Sequence, residues 1–581
     1  MGNERDASRP PSSGVTRRSF LHMVGAAGGA AAVYETMVAL GMIREPIAWA
    51  GPPRLQSGSG SGHSVVILGA GVGGVAAALE LIRAGYKVTI LEAQNRVGGR
   101  SHTARRGDVV VEDTLEHGVV KQTCNFDEGE GLYINLGPGR LPYHHRRVLH
   151  YARNLGVALE PYVMTTTANL FQTDQGMDRA ATPRRVIDTD TRGYIAEMLA
   201  KAVGRGIYDD ELSDEDQVKL LEMLRVFGDL DARDRFKGST RAGCAHPLTV
   251  FDDCTAPVPV PLTALLNTEY WTHRFYQPED YEWQATLFQP VGGMDQLVKG
   301  MAAALPEGVI RLNHVITGIE IADSGGVTVT WKDTATGATG SERGDYCVSN
   351  IPLPVLAKIP ANFSGEFQDA VDTARFDPTC KVGWQAESRF WENDRYQIFG
   401  GISYIDHPIT QMWYPSNNYL GQVICAADAA GHRVVGYTDK GTLTGAYNYD
   451  EDALAMGRML PPERLVVARQ GAVRLHSEFK DPAGPVPQSK GISIAWQNVP
   501  YQRGGWANWS FVGAETAYER LLAPDRSFFV VGDQVSTLPG WQEGAIMSAE
   551  HVVEQIAGLR PLTVPDVRRA PDTRRLVQGR F

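Results

Sequence analysis

Cysteine is scarce in this chain: six among 581 residues (Cys124, Cys244, Cys254, Cys347, Cys380 and Cys425), none in CxxC or Cys/His spacing. That pattern argues against a structural zinc site and against a dense disulfide framework, leaving a single bridge between Cys244 and Cys254 open. Cationic charge is short as well. With 56 Lys and Arg against 67 Asp and Glu, a net charge of -11 and a pI near 5.7, the chain lacks the surplus of clustered cations that a phosphate backbone demands, so nucleic acid is not its main partner. Long apolar runs are missing beyond the N-terminal fifty residues, and the mature chain is therefore expected to have no membrane association. No internal repeat is visible either. What is plentiful is apolar material, 43% of residues, enough to bury sizeable cores across two or three globular units.

The N-terminus carries its own pattern. TRRSFLH (16–22) precedes a Gly/Ala-rich, moderately apolar stretch, and AWA (48–50) offers a small-x-small cleavage site. The pattern resembles a twin-arginine export signal, which implies the twin-arginine machinery as a partner and a periplasmic or secreted product. Glu35 inside the apolar stretch argues against a permanent membrane span. Because that route carries folded proteins, it fits a chain that takes up its cofactor before export.

After a Gly/Ser linker (54–63), SVVIL, GAGVGG, VAAALELIRAG and YKVTIL read as strand, tight turn, helix and strand, one βαβ unit. Gly69, Gly71 and Gly74 stand in GxGxxG spacing, with Gly73 beside them, so backbone can approach a pyrophosphate at the helix N-terminus. Glu92 and Ala93 end the second strand, where an acid accepts from a ribose hydroxyl. The next residues, RVGGR (96–100), add a second glycine loop and a cation, Arg100, for which a nicotinamide dehydrogenase has no need.

Further segments extend the pattern: LGPGRLPYHHRRV (136–148), FQPVGGMDQL (288–297), CKVGWQ (380–385), MWYPSN (412–417), PYQRGGW (500–506) and VVGDQVSTLPGWQEGA (530–545). Together with GAGVGG and RVGGR these resemble the flavin amine oxidase superfamily, most closely its L-amino-acid oxidases, over essentially the whole mature chain. The resemblance implies a mixed α/β fold: a discontinuous, two-dinucleotide-binding (Rossmann-like) FAD domain, a mixed-sheet substrate domain and a helical subdomain. Its implied boundaries are a signal (1–50), a linker (51–63), FAD-binding parts at 64–115, 286–375 and 511–560, and substrate-binding parts at 116–175 and 376–510. A helical domain (176–285) and a tail (561–581) complete them. In the helical part Ser213 and Asp216 form a capping box, and Val218, Leu221, Leu224 and Val226 make a rough stripe.

Carried over by position, the resemblance assigns the cofactor to Gly69, Gly71, Gly73, Gly74, Glu92, Ala93, Arg100, the turn Gly137, Pro138, Gly139 and Arg140, backbone at Val315, Asp533, and the late run Gly540, Trp541, Gln542, Glu543, Gly544 and Ala545. Asp533 stands where the family has Glu, one methylene shorter. Lys381 matches the lysine that holds a water against the reactive flavin nitrogen; its competing reading is a surface lysine at a strand start. For the substrate, Arg140 and Tyr414 would bind the carboxylate, the Gly540 carbonyl the amine, and Trp541 with Tyr414 would wall an aromatic slot. The competing reading of Arg140 pairs it with a structural Asp or with cofactor phosphates. No cysteine precedes the final glycine-aromatic segment, which implies noncovalent FAD. No catalytic base is assigned, His246 and His273 being read as structural.

The implied reaction takes a hydride from the α-carbon of an L-amino acid to FAD, giving a 2-oxo acid and ammonia while oxygen becomes hydrogen peroxide. Alternatives are an amide-forming 2-monooxygenase, an amine oxidase with no use for Arg140, an exported dehydrogenase with another acceptor, and a noncatalytic FAD scaffold. Homodimer formation stays open.

Overall fold

The computed structural model describes residues 49–129, 131–208, 212–417 and 436–559. The twin-arginine segment and the apolar stretch behind it, Cys425 and the tail 561–581 lie outside the described residues. Contacts divide the chain after Gly51, and the architecture below is that of the unit from Pro52 onward.

A five-stranded sheet is built from β1 (Ser64–Leu68), β2 (Lys87–Leu91), β3 (Ile310–Arg311), β4 (Tyr346–Ser349) and β5 (Phe528–Val530). The order across it is β3-β2-β1-β4-β5, and every pair is parallel. Strands of such a sheet are covered on both faces and read as continuous apolar runs, which VVIL and FFV are. On one face lies helix α1 (Val72–Arg83), whose residues from Val72 to Leu81 are all buried, with α2 (Gln542–Ile556) packed against it. Each fully buried Val, Leu or Ile in that interface contributes roughly 1.5–3 kcal/mol. Gly74 permits the close approach: a Cβ there would sit 2.2 Å from the Gly69 carbonyl oxygen.

A seven-stranded sheet forms the second layer. Its order is Thr182–Pro183, Leu170–Gln172, Ile402–Ile405, Gln411–Trp413, Gly441–Tyr449, Thr379–Ala386 and Gly491–Ala495, antiparallel except where Leu170–Gln172 meets Ile402–Ile405. The strand Thr379–Ala386 is buried at every position, because it runs between two neighbours and is covered on both faces. Glu112 and Arg464, buried under this sheet, form a two-pronged pair at 2.6 and 2.7 Å. A three-stranded meander, His314–Ile321, Val327–Asp333 and Thr339–Gly344, bridges β3 and β4 in sequence.

The helical part contains Arg184–Val203, Asp214–Gly228 and Leu262–Asn267. Ser213 caps the second of these, its side chain accepting from the Asp216 amide at 3.2 Å. The packing stripe differs from the expected one. Leu224 is buried with Leu220 and Leu221 against Ala196 and Ala200, while Val218 and Val226 face solvent. Cys244 and Cys254 are disulfide-bonded. Among the described residues no helix is long and apolar enough to cross a membrane.

Candidate active site

An elongated cavity of about 330 Å³ opens at the carboxyl ends of β1, β2 and β4, where ligands bind open parallel sheets. Gly69, Gly71, Gly73, Glu92, Ala93, Arg100, Gly137, Pro138, Val315, Asp533, Gly540, Trp541, Gln542 and Ala545 all line it. Gly71 is the N-cap of α1 and gives the first-turn amides no side-chain acceptor, so those N–H groups are available to an anion. Glu92 receives the amides of Ala70 (2.7 Å) and Gln94 (2.8 Å) on its two oxygens, which pins the glycine turn to the end of β2. The remaining lone pairs suit ribose hydroxyls. These features fit the nucleotide half of a flavin dinucleotide.

Several expected cofactor residues sit elsewhere. Gly74 and Gly544 are packing glycines; a Cβ at Gly544 would lie 2.3 Å from the Leu538 carbonyl oxygen. Glu543 is structural: its carboxylate accepts from the Val148 amide at 2.9 Å and pairs with Arg147, anchoring the helix Arg146–Asn154. Arg100 and Asp533 line the cavity but are joined to each other in a two-pronged ion pair. Asp533 also accepts from the Gly540 amide at 2.8 Å, so it orients the turn that carries Gly540. Gly139 and Arg140 lie beyond the cavity lining, with the Trp413 ring 2.6 Å from where a Gly139 Cβ would stand.

Arg140 is buried, and among the described residues no carboxylate pairs with it. Its Nε has no partner. Three tryptophans box the guanidinium: Trp413 at 4.9 Å, and Trp283 and Trp541 each at 5.8 Å. The Tyr162 phenol stands beside it, pushed up by burial and drawn back by the Arg140 charge. A structural aspartate is thus not the partner of this arginine.

Tyr414 has polar partners of its own. Its hydroxyl is 2.6 Å from His476 Nε2 and 2.9 Å from Ser403 Oγ, and its ring packs in the core with Phe390 neighbours and Met412. Trp413 instead belongs to the cluster around Tyr162, Trp283 and Trp541. The aromatic stacked on Arg140 is thus Trp413, the last residue of its strand, while Tyr414, the next residue, lines a small cavity with Gly139, Tyr162 and Trp413. Burial also drives the His476 pKa down to about 3, keeping that imidazole neutral.

Lys381 is only 2% exposed, which removes the surface reading. Its ammonium donates to the carbonyls of Asn135 (3.3 Å) and Gly137 and lies 4.7 Å from the Trp413 ring and 4.4 Å from the Tyr447 ring. Burial first, then the Arg140 charge, brings its pKa down to about 7. A lysine there is close to evenly divided between charged and neutral at physiological pH.

Four contributors were invisible in the linear sequence: Tyr162, Trp283, Tyr447 and Asn350. The Asn350 side chain wedges between the glycine turn and the β5 turn, its Nδ2 being 2.3 Å from a Gly71 Cβ and its Oδ1 2.9 Å from a Gly532 Cβ, were either present. Its position directly after β4, at the carboxyl edge of the sheet, was the available signal. Among the described residues no group of three or more His, Cys, Asp or Glu could hold a metal ion.

A parallel nucleotide sheet joined to an antiparallel one, with a buried lysine and arginine where the two meet, is the layout of a flavin-dependent oxidoreductase. The chain belongs to the flavin containing amine oxidoreductases, whose family model matches residues 72–557. It is 25% identical over 527 residues to the flavin-dependent L-tryptophan oxidase RebO of Lentzea aerocolonigenes, covering 85% of this chain and 98% of that one. It is 24% identical over 496 residues to the L-amino-acid oxidase of Siganus canaliculatus, with 84% of each chain covered. Among solved structures, putrescine oxidase bound to putrescine superposes with a TM-score of 0.52 at 19% identity, over 85% of this chain and 99% of that one. Cyclohexylamine oxidase from Brevibacterium oxydans gives 0.51 at 16% identity, over 86% and 99%.

Proposed function

We propose that the protein is an L-amino-acid oxidase that converts L-amino acids to 2-oxo acids, ammonia and hydrogen peroxide. The observation that carries this reading is Arg140, a buried cation with an unpartnered Nε in an aromatic box. A buried charge without a counter-ion is costly, and a substrate carboxylate is the group that would relieve it with paired hydrogen bonds. FAD, held noncovalently, supplies the two-electron acceptor for the α-hydrogen and the route by which oxygen becomes peroxide. Residues 534–541 contain no cysteine, and denaturation should release the flavin intact.

The chain's own groups do the positioning. Arg140 takes the carboxylate, while Trp413 and Trp541 exclude water around it and strengthen the pairing. Gly540, at φ +80 in a conformation that favours glycine, has its peptide oriented by Asp533 and presents a carbonyl for the substrate amine. Lys381, whose Nζ donates to the Asn135 and Gly137 carbonyls, would use its remaining N–H to hold a water and, with a pKa near 7, could exchange a proton with it. With carboxylate and amine both held, the α-carbon is fixed toward the cavity. The test is product analysis on the purified flavoprotein: ammonia, 2-oxo acid and peroxide in equal amounts support the reading, whereas amide product or turnover of simple amines as well as amino acids refutes it. Export by the twin-arginine route is part of the proposal, and replacing Arg17 and Arg18 by Lys should leave the loaded enzyme in the cytoplasm.

A further inference from the structure

The segment PYQRGGW (500–506) runs along the cofactor cavity, and Trp506 lines it beside Gly540. A Cβ at Gly540 would stand 3.5 Å from the Trp506 Cβ and 3.6 Å from its ring, so the indole packs on the turn whose carbonyl is read as taking the substrate amine. The two glycines before the tryptophan let the segment press against the strand Arg375–Asp377 and the residues that follow it. A Cβ at Gly504 would lie 2.5 Å from the Phe376 Cβ, and one at Gly505 2.7 Å from Thr379 Cγ2. Arg375–Asp377 pairs antiparallel with Trp506–Asn508, and Asp377 stands directly opposite Trp506.

Asp377 is buried, and its carboxylate spans two donors. Oδ2 accepts from the Trp506 indole Nε1 at 2.9 Å and Oδ1 from Asn508 Nδ2 at 2.7 Å. Its backbone carbonyl takes the Gly505 amide at 2.9 Å. Arg100 closes the same frame from the other side, donating to the Gly505 carbonyl at 2.7 Å and pairing with Asp533, which orients Gly540. The indole is thus tied to the Gly540 turn through a carboxylate that does not itself line the cavity. Burial, with the Asp450 charge behind it, outweighs the two hydrogen bonds and pushes the Asp377 pKa up to about 6. Asp450 is itself held up by burial and drawn back by Arg274, while Arg100, 5.7 Å over the neighbouring Phe376 ring, is engaged by Asp533.

We propose that Asp377 is a positioning residue for flavin reduction, holding the Trp506 indole against the Gly540 turn as a carboxylate and loosening it when protonated. An ionised carboxylate only accepts, so it satisfies the indole and the Asn508 amide together. A proton on it turns charge-assisted hydrogen bonds into neutral ones, roughly half as strong. Small displacements of the groups that fix a substrate lower the rate of the chemical step far more than they lower binding. The role does not involve the substrate carboxylate, so it stands apart from the Arg140 clamp.

The experiment uses the holoenzyme with heavy-nitrogen-labelled tryptophan, and Trp506→Phe identifies the Trp506 indole resonance. In the wild type without substrate that resonance should shift with a midpoint at about pH 6, and in Asp377→Asn it should stay fixed. Anaerobic flavin reduction by an oxidised L-amino acid is then followed from about pH 8 to about pH 5. At the upper end Asp377→Asn should reduce its flavin at least tenfold more slowly at saturating substrate, with substrate affinity little changed. The ratio of wild-type to variant rate should shrink about tenfold towards the lower end, since ionisations common to both, Lys381 included, cancel in it. Bound flavin content shows whether the variant folds; should it hold no flavin, the wild-type resonance decides. An indole resonance that does not move over this range, a variant as fast as the wild type, or a ratio independent of pH overturns the proposal. If no amino acid reduces the flavin, the oxidase reading falls, and the resonance still decides whether Asp377 holds Trp506.

Discussion

Replacing Arg140 by Met separates a substrate clamp from a structural cation, because the two roles predict opposite signs of stability change. In the structure the guanidinium is buried, its Nε is unpartnered and tryptophans surround it. Two hydrogen bonds from a charged donor to a substrate carboxylate are worth about 1.5–3 kcal/mol each. Losing both costs roughly 4 kcal/mol, or about a thousandfold in kcat/KM at 1.4 kcal/mol per tenfold. The same change removes an uncompensated buried charge, which is neutral to stabilising by about 1–4 kcal/mol, offset by lost cation–π contacts of about 0.5–2 kcal/mol. The melting temperature should therefore hold or rise. Anaerobic stopped-flow measurement of flavin reduction by an L-amino acid and by the amine lacking its carboxylate gives the discrimination, and thermal unfolding of the same samples gives the stability. A variant that melts several degrees lower while still preferring the amino acid would refute the clamp, since that is the behaviour of a broken structural ion pair.

Three other outcomes follow from the geometry. Lys381, whose folded pKa is lowered to about 7, binds its proton more weakly folded than unfolded, so it contributes stability that grows as pH rises from 7 towards its ordinary value; chemical denaturation of wild type and Lys381→Met at pH 7, 8.5 and 10 should show the difference moving in the wild type's favour, and a flat difference refutes it. Gly74→Ala puts a Cβ 2.2 Å from the Gly69 carbonyl oxygen and should yield protein purified with little bound flavin, read from its visible absorbance. Glu112→Ala strands Arg464, fully buried, and should cost about 3–5 kcal/mol in urea unfolding, whereas Glu112→Met with Arg464→Met should cost much less.

What was legible in the chain was what repeats locally. The βαβ unit, with glycines at 69, 71 and 74 and an acid at 92, carries its own turn and helix signals within thirty residues, and the structure places Gly69, Gly71 and Glu92 around one cavity with Gly74 packed behind the turn. Residues whose role depends on distant partners were not legible. Arg100 finds Asp533 across 433 positions, and Tyr414 finds His476 across 62. Trp413 and Tyr414 pose a different difficulty: MWYP puts two adjacent aromatics across the end of a strand, and periodicity alone cannot tell which one stacks on Arg140. Glu543 misled because a carboxylate beside a cofactor motif and one anchoring a neighbouring helix look alike in sequence.

The five-stranded sheet also sets a timetable for synthesis. β1 leaves the ribosome near the start, but its neighbour β4 lies about 280 residues later and β5 completes the edge only at Val530. At 5–20 residues per second, the first strand waits on the order of half a minute to a minute and a half for the last one. Until then the glycine turn has no α2 to close over it and Asn350 has no Gly532 to meet. Cofactor capture is thereby deferred to the moment the chain is nearly finished, and a truncation that spared every residue before 525 would still make a protein unable to hold its flavin.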